Sequence, residues 1–316
     1  MNKKVVVLGG GKGISYLLAG LKDFPLDITA VITVADNGKS TGKLREEFHI
    51  PAIGDVRKVI TSMSGSDETI KKMLEYRFHT TSDLDGHALG NLILTSLLDI
   101  TGSLKSAIEE SSILLDVKSN IFPLTEDKNI TLMGEATDGS IIEGEEMITK
   151  SPKKIKRLFY KEEPNVLKEV ITAINEADLV LLSMGSLYTS LFPNLLSKKV
   201  ITALDKTKSP IMYVCNIVTQ PGETDNFTVS DHVNLINEYL GKHKLDVVIA
   251  SNSPISKEMA EKYACEERKD PVKIDYAVLK ALDVEFIEAD LLTIADDTLK
   301  HHSQKLSSLI FSYLMR

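Results

Sequence analysis

Val5-Val6-Val7-Leu8-Gly9-Gly10-Gly11-Lys12-Gly13-Ile14-Ser15 is the stretch on which the fold turns. Its β-branched apolar run reads as a buried parallel strand, and the clustered glycines let the chain turn tightly into a helix starting near Ile14. The first free N–H groups of such a helix, with the positive end of its dipole, form a seat for an anion. Lys12 adds a mobile charge beside it. Gly10, Gly11, Lys12 and Gly13 are therefore candidate ligand-binding residues. The pattern is not a complete dinucleotide fingerprint, because Ile14 stands where the third glycine belongs. It is not a Walker loop either, since no Gly-Lys-Ser/Thr closes it.

Working outward, a helix carrying Tyr16, Leu17, Leu18 and Leu21 on its apolar side stops at Phe24-Pro25, and Ile28–Val34 forms a second strand. This is a βαβ unit, so the residues after the second strand share an edge of the fold with the glycine loop. Asp36, Asn37 and Gly38 lie there. An acidic residue at this position holds a ribose hydroxyl in dinucleotide folds, which keeps an NAD-binding protein open as an alternative. Loop chemistry then continues through Ser40, Thr41 and Arg45 and through Asp55 and Arg57, mixing glycine, hydroxyls and cations in a way that suits an anionic ligand.

A helix is expected from Asp67 to Phe78, with Ile70, Met73, Leu74 and Phe78 at helical spacing. His87 and Asn91 sit in a small-residue motif before a second buried helix. Residues 112–165 read as a small β-rich insertion: a hairpin turns through Thr137-Asp138-Gly139-Ser140, and the basic cluster from Lys153 to Arg157 is a solvated face. The parallel pattern resumes at Asp178–Leu182, which opens into Gly185, Ser186, Leu187, Tyr188 and Thr189, with a helix after Pro193. This second strand-end loop offers backbone and hydroxyl donors to phosphate. Strand Ile211–Cys215 ends in Asn216, Thr219 and Gln220, and a helix follows with Ser230 or Asp231 as its cap. Strands near 245–250 and 284–287 and a closing helix complete one doubly wound, Rossmann-like, mostly parallel α/β domain over residues 1–316.

The chain of 316 residues carries 37 Lys and Arg against 45 Asp and Glu, a net charge of -8, which argues against nonspecific binding to nucleic acid. Cys215 lies in an apolar strand and Cys265 in a charged helical stretch, so no disulfide is expected, which suits the cytoplasm. No apolar run is long enough for a membrane span. Asp225, Asp231 and His232 lack metal-ligand spacing, the adjacent His301 and His302 would point apart at a solvated helix start, and no metal ligand is assigned.

Six motifs in order carry a resemblance over essentially the whole chain: Gly9–Gly13, Val34–Gly42, Gly54–Arg57, Gly86–Leu92, Gly185–Ser190 with Pro193–Leu196, and Asn216–Asp225. The chain resembles the YvcK-like gluconeogenesis-factor branch of the CofD superfamily, whose other branch is 2-phospho-L-lactate transferase. The resemblance implies a CofD-like fold and a cytosolic regulatory protein that binds UDP-sugars such as UDP-N-acetylglucosamine and acts in cell shape and cell-wall synthesis during gluconeogenic growth. It implies a protein partner in cell-wall or carbon metabolism and a homodimer, and Lys300 matches a basic position associated with sugar-nucleotide binding. The alternative it carries is a magnesium-dependent transfer of a phospho-group from a nucleotide diphosphate donor. The transferase branch has an aspartate pair after the second strand where this chain has Asp36-Asn37, and asparagine cannot supply the second negative charge that magnesium favours.

Overall fold

The computed structural model describes residues 2–295 and 297–316. The strands are β1 Lys3–Gly9, β2 Leu26–Ile32, β3 Asn120–Pro123, β4 Leu132–Ala136, β5 Ile141–Glu143 and β6 Ile155–Tyr160. They continue with β7 Leu179–Leu182, β8 Ile211–Val214, β9 Val247–Ser251, β10 Glu285–Ala289, β11 Leu292–Ala295 and β12 Thr298–His301. Among the described residues the main sheet is seven-stranded in the order β10-β9-β8-β7-β1-β2-β3, and every neighbouring pair in it is parallel. The chain builds outward from β1 to β3 and then returns to the other side of β1 with β7, so the order reverses between β1 and β7. In open α/β sheets a ligand crevice belongs at that reversal, beyond the carboxyl ends of the strands.

Alternation along β1 explains both layers. Val5 and Val7 join the core on one face and Val6 and Leu8 the core on the other, all at most 1% exposed. A strand buried on both faces must be apolar at every position, which is why its sequence runs without polar interruption. Seven helices matter for the site: α1 Gly11–Leu21, α2 Lys39–Phe48, α3 Gly54–Met63, α4 Glu68–Glu75, α5 Leu89–Thr101, α6 Leu104–Leu114 and α7 Glu145–Lys150. A closing helix, Ser303–Leu314, packs on α1.

Several expectations are corrected. The stretch read as loop after Asp36 is two helices, α2 and α3; glycines and hydroxyls stand at their starts, where backbone N–H groups need no intrahelical partner. Tyr16 does not join the apolar side of α1, which buries Ile14, Leu17, Leu18 and Leu21. The helix expected to Phe78 stops at Glu75 and buries Leu74, while Ile70 and Met73 are exposed. Asn120–Pro123 pairs with β2 in the main sheet, so the small antiparallel sheet β5-β4-β6 occupies a shorter stretch than residues 112–165. The Leu187–Leu191 turn is a π-helix that runs into a helix from Phe192, ahead of Pro193. The cap of the helix after β8 is Thr228, in a reciprocal box with Asp231, rather than Ser230 or Asp231. The hairpin at Thr137–Ser140 forms with Gly134 opposite Ile142, and Lys156 and Arg157 pair with Glu135 across its sheet at 3.0 and 2.6 Å. Both cysteines are free thiols, Cys215 buried and Cys265 exposed. No helix among the described residues is long and apolar enough to cross a membrane.

Candidate functional site

The expected anion seat at the start of α1 is filled from within. The Gly11 N–H donates to Asp55 Oδ2 at 2.7 Å, and Asp55 Oδ1 accepts from Lys58 Nζ at the same distance. A Cβ on Gly13 would stand 1.8 Å from the Met184 carbonyl oxygen, so this glycine lets α1 press against the loop after β7. Gly10 abuts Thr33 and Asp55, and Gly11, with φ of 65°, faces Ser190. The reversal point between β1 and β7 is therefore closed by backbone packing.

The open space lies to one side, over the starts of α2 and α3. A cleft of about 1030 Å³ runs along these helices, with Lys12, Tyr16, α4 and α7 in its walls. Gly38, Ser40 and Thr41 bring the start of α2 to it, and Gly54 the start of α3. Neither helix has a side-chain hydrogen bond at its N-cap, Gly38 or Ile53. Two uncapped helix N-termini facing one cleft supply unsatisfied N–H donors and two positive dipole ends.

Arg57 is the cation at this floor. It is 7% exposed, its Nε donates to Asn91 Oδ1 at 3.2 Å, and no carboxylate among the described residues pairs with it. Burial lowers its pKa, and Glu75 opposes that drop without reaching bonding distance. Its stem crosses Gly90, where a Cβ would lie 2.8 Å from Arg57 Cδ. The chain of bonds continues from Asn91 Nδ2 to Ser40 Oγ at 3.1 Å and from Ser40 Oγ to His87 Nδ1 at 3.1 Å. His87, Ser40 and Asn91 are all at most 5% exposed. This buried chain fixes the guanidinium and joins three sequence motifs in one place.

Of the residues predicted from sequence, Lys12, Asp36, Gly38, Ser40, Thr41, Arg57, Asn91 and Lys300 line the cleft. Lys300 Nζ lies 5.3 Å from the centre of the Tyr16 ring. Gly10, Gly11, Gly13 and Asp55 form the packed layer beneath, and His87 stands behind Ser40. Arg45 turns away from the cleft: its guanidinium donates to the carbonyls of Asp36 at 2.9 Å and Ile130 at 2.8 Å, tying α2 to the segment before β4. Asn37 also faces that side, its Oδ1 accepting the Glu146 N–H at 2.9 Å.

The loops after β7 and β8 bind each other rather than the cleft. Asn216 accepts from Gly185 N and donates to Gly185 O, at 2.9 and 2.8 Å. Ser186 Oγ donates to Glu223 at 2.8 Å while it accepts from Thr189 N, and Gln220 Nε2 reaches the same carboxyl at 3.0 Å. Thr219 Oγ1 accepts from Asp270 N at 2.9 Å. Leu187 and Tyr188 are buried in the core on that face of the sheet. Burial pushes Glu223 up to about 7 against the lowering effect of its Ser186 hydrogen bond.

Residues absent from the sequence reading complete the cleft: Glu145, Glu146, Thr149 and Lys150 of α7, with Lys71 and Arg77 at the outer end. No sequence signal marked α7, because six residues give too little periodicity to read. Burial, and then the neighbouring Asp36 charge, push Glu145 up to about 7; burial followed by Asp55 raises Asp36 as well. Among the described residues no group of three or more His, Cys, Asp or Glu side chains is arranged to hold a metal ion.

Residues 5–292 match the model of the family described as 2-phospho-L-lactate transferase CofD. The chain belongs to the CofD family. Within that family it is 42% identical over 309 residues to the gluconeogenesis factor of Halalkalibacterium halodurans, covering 98% of this chain and 95% of that one. It is 39% identical to the gluconeogenesis factor of Bacillus subtilis, covering 98% of each. A crystal structure of a UPF0052 family member from Bacillus halodurans superposes with a TM-score of 0.94 at 41% identity, covering 98% of this chain and 99% of that one. The family fold is thus this seven-stranded sheet with its small antiparallel sheet, as the motifs implied.

Proposed function

We propose that the cleft binds a nucleotide sugar of the UDP-N-acetylglucosamine type, and that the protein is a cytoplasmic regulator of cell morphology and cell-wall synthesis under gluconeogenic growth. The observation that carries this reading is Arg57: a guanidinium 7% exposed, without a carboxylate partner among the described residues, on the floor of a cleft that two uncapped helix N-termini enter. Burying an unpaired cation is costly, and a diphosphate in the cleft offsets that cost with charge-assisted hydrogen bonds. Lys12 and Lys300 add charge at the walls, while Asp36 offers an acceptor for a sugar or ribose hydroxyl. The relatives' name, gluconeogenesis factor, supports the physiological setting. The protein partner and a homodimer belong to the same proposal.

A thermal-shift panel of UDP-N-acetylglucosamine, UDP-glucose, UDP, GDP and NAD, with and without magnesium, tests it. A ligand at about one hundred times its dissociation constant stabilises by about 2.7 kcal/mol, a shift of several degrees for a protein of this size. Stabilisation by UDP-sugars without magnesium supports the reading. The family description favours a second one, transfer of a phospho-group from a nucleotide diphosphate; magnesium-dependent stabilisation by GDP, with product formed, would favour it instead.

A further inference from the structure

Glu145 reaches the cleft from outside the main sheet, and its placement is built rather than incidental. Asn37, in the loop after β2, accepts the Glu146 N–H at 2.9 Å, and Gly144 N donates to the Leu132 carbonyl at 2.8 Å. Gly144 has φ of 93°, and a Cβ there would stand 2.6 Å from Asn37 Nδ2, so both its conformation and its space require glycine. Thr149 Oγ1 donates to the Glu145 carboxyl at 3.3 Å.

The charges around Glu145 are mixed. On its own helix Glu146 is neutralised by Lys150 at 2.6 Å. The loop after β2 presents Asp36; α3 presents Asp55, bound to Lys58, and Arg57; α1 presents Lys12; β12 presents Lys300. Glu223 stands behind the π-turn, and His87 behind Ser40. An anionic ligand seated on the starts of α2 and α3 adds negative charge in front of Glu145 and Asp36 and excludes water from them. Both effects favour the neutral acid.

We propose that Glu145 recognises the ligand as a neutral carboxylic acid, so that seating an anionic nucleotide sugar takes up a proton from solution. This rests on the nucleotide-sugar reading of the same cleft. The proton passes from buffer to the Glu145 carboxylate, whose O–H then donates to a ligand oxygen; no bond in the ligand forms or breaks. Asn37 is the positioning residue that holds α7 where this contact is made. Glu145 sits high in its range before the ligand arrives, so the linkage falls across neutral pH.

The test is calorimetric titration of the full chain with UDP-N-acetylglucosamine from about pH 6 to about pH 8.5, in buffers of low and high ionisation enthalpy. Affinity should fall towards tenfold per pH unit above about pH 7, with an enthalpy that changes with buffer in the sense of proton uptake. Glu145→Gln should bind with little pH dependence and no buffer dependence, whereas Glu146→Gln and His87→Asn should retain the slope. Wild-type binding that is flat with pH, or that strengthens as pH rises, overturns the proposal and leaves the ligand reading intact. A slope retained in Glu145→Gln, folded by circular dichroism, also overturns it. No binding at any pH overturns the ligand reading and the proposal together.

Discussion

The Gly11 amide and the Asp55 carboxylate are bonded at 2.7 Å, so the glycine loop that looks open in sequence is capped by the protein's own acid. Asp55 serves two donors at once, since Lys58 holds its other oxygen. Asp55→Ala leaves both without a partner and should destabilise by about 2–3 kcal/mol, while Asp55→Asn, which keeps an acceptor for Gly11, should cost about half as much. Urea unfolding of the two variants measures this; equal stability of all three proteins would remove the capping role.

The glycines of the loop should differ sharply from the glycine at the start of α2. Gly13→Ala drives a methyl into the Met184 carbonyl and should cost more than about 3 kcal/mol or prevent folding. Gly38→Ala meets nothing nearer than 3.5 Å and should stay within about 1 kcal/mol. Thermal midpoints separate the two.

That contrast shows what was legible. The run from Val5 to Leu8 announced a strand buried on both faces, and the βαβ unit and strand-end loops followed from it, because apolar period and glycine position are local properties. Arg57, Ser40, His87 and Asn91 were found as separate motifs, yet their joining into one bonded chain depends on how α2, α3 and α5 pack. The anion seat was placed on α1 because a strand, glycines and a helix suffice to suggest it. No local pattern says that an aspartate from α3 will occupy that position first. Asn37 was read for the charge it lacks, whereas its amide meets α7, more than a hundred residues away. Glu145 was invisible for the same reason: its role comes from that tertiary contact, not from its neighbours in sequence.

Asn37→Ala should loosen α7. It removes the acceptor for the Glu146 N–H at a helix start, a loss of about 1 kcal/mol. Hydrogen exchange should quicken roughly fivefold over residues 145–150 if the helix opens locally, and leave β1 and β2 unchanged. Uniform exchange in wild type and variant would show that the contact does not hold the helix.

Stability should depend on pH through Glu223. Its pKa is raised to about 7 by burial, so the folded state holds a proton that the unfolded state releases near pH 4.5. The unfolded chain binds fewer protons between those values, and stability therefore falls as pH rises from about 5 to about 7.5, by on the order of 3 kcal/mol for this group alone. Glu223→Gln keeps partners for Ser186 and Gln220 and should lessen the decline, leaving the share that Glu145 and Asp36 contribute. Urea midpoints across that range check both the sign and the residue; a decline unchanged in Glu223→Gln would assign it elsewhere.

Arg57 and the starts of α2 and α3 together make the proposed anion site for a nucleotide sugar. Calorimetric titration of UDP-N-acetylglucosamine into the wild type and Arg57→Met tests it most directly, because methionine keeps much of the stem over Gly90 and removes the charge. Binding to the wild type is expected, with a loss of about 1.5–3 kcal/mol in the variant, roughly tenfold to one hundred and fiftyfold in affinity, and the thermal midpoint of the free protein nearly unchanged or raised. Equal affinity in a folded Arg57→Met protein would contradict it.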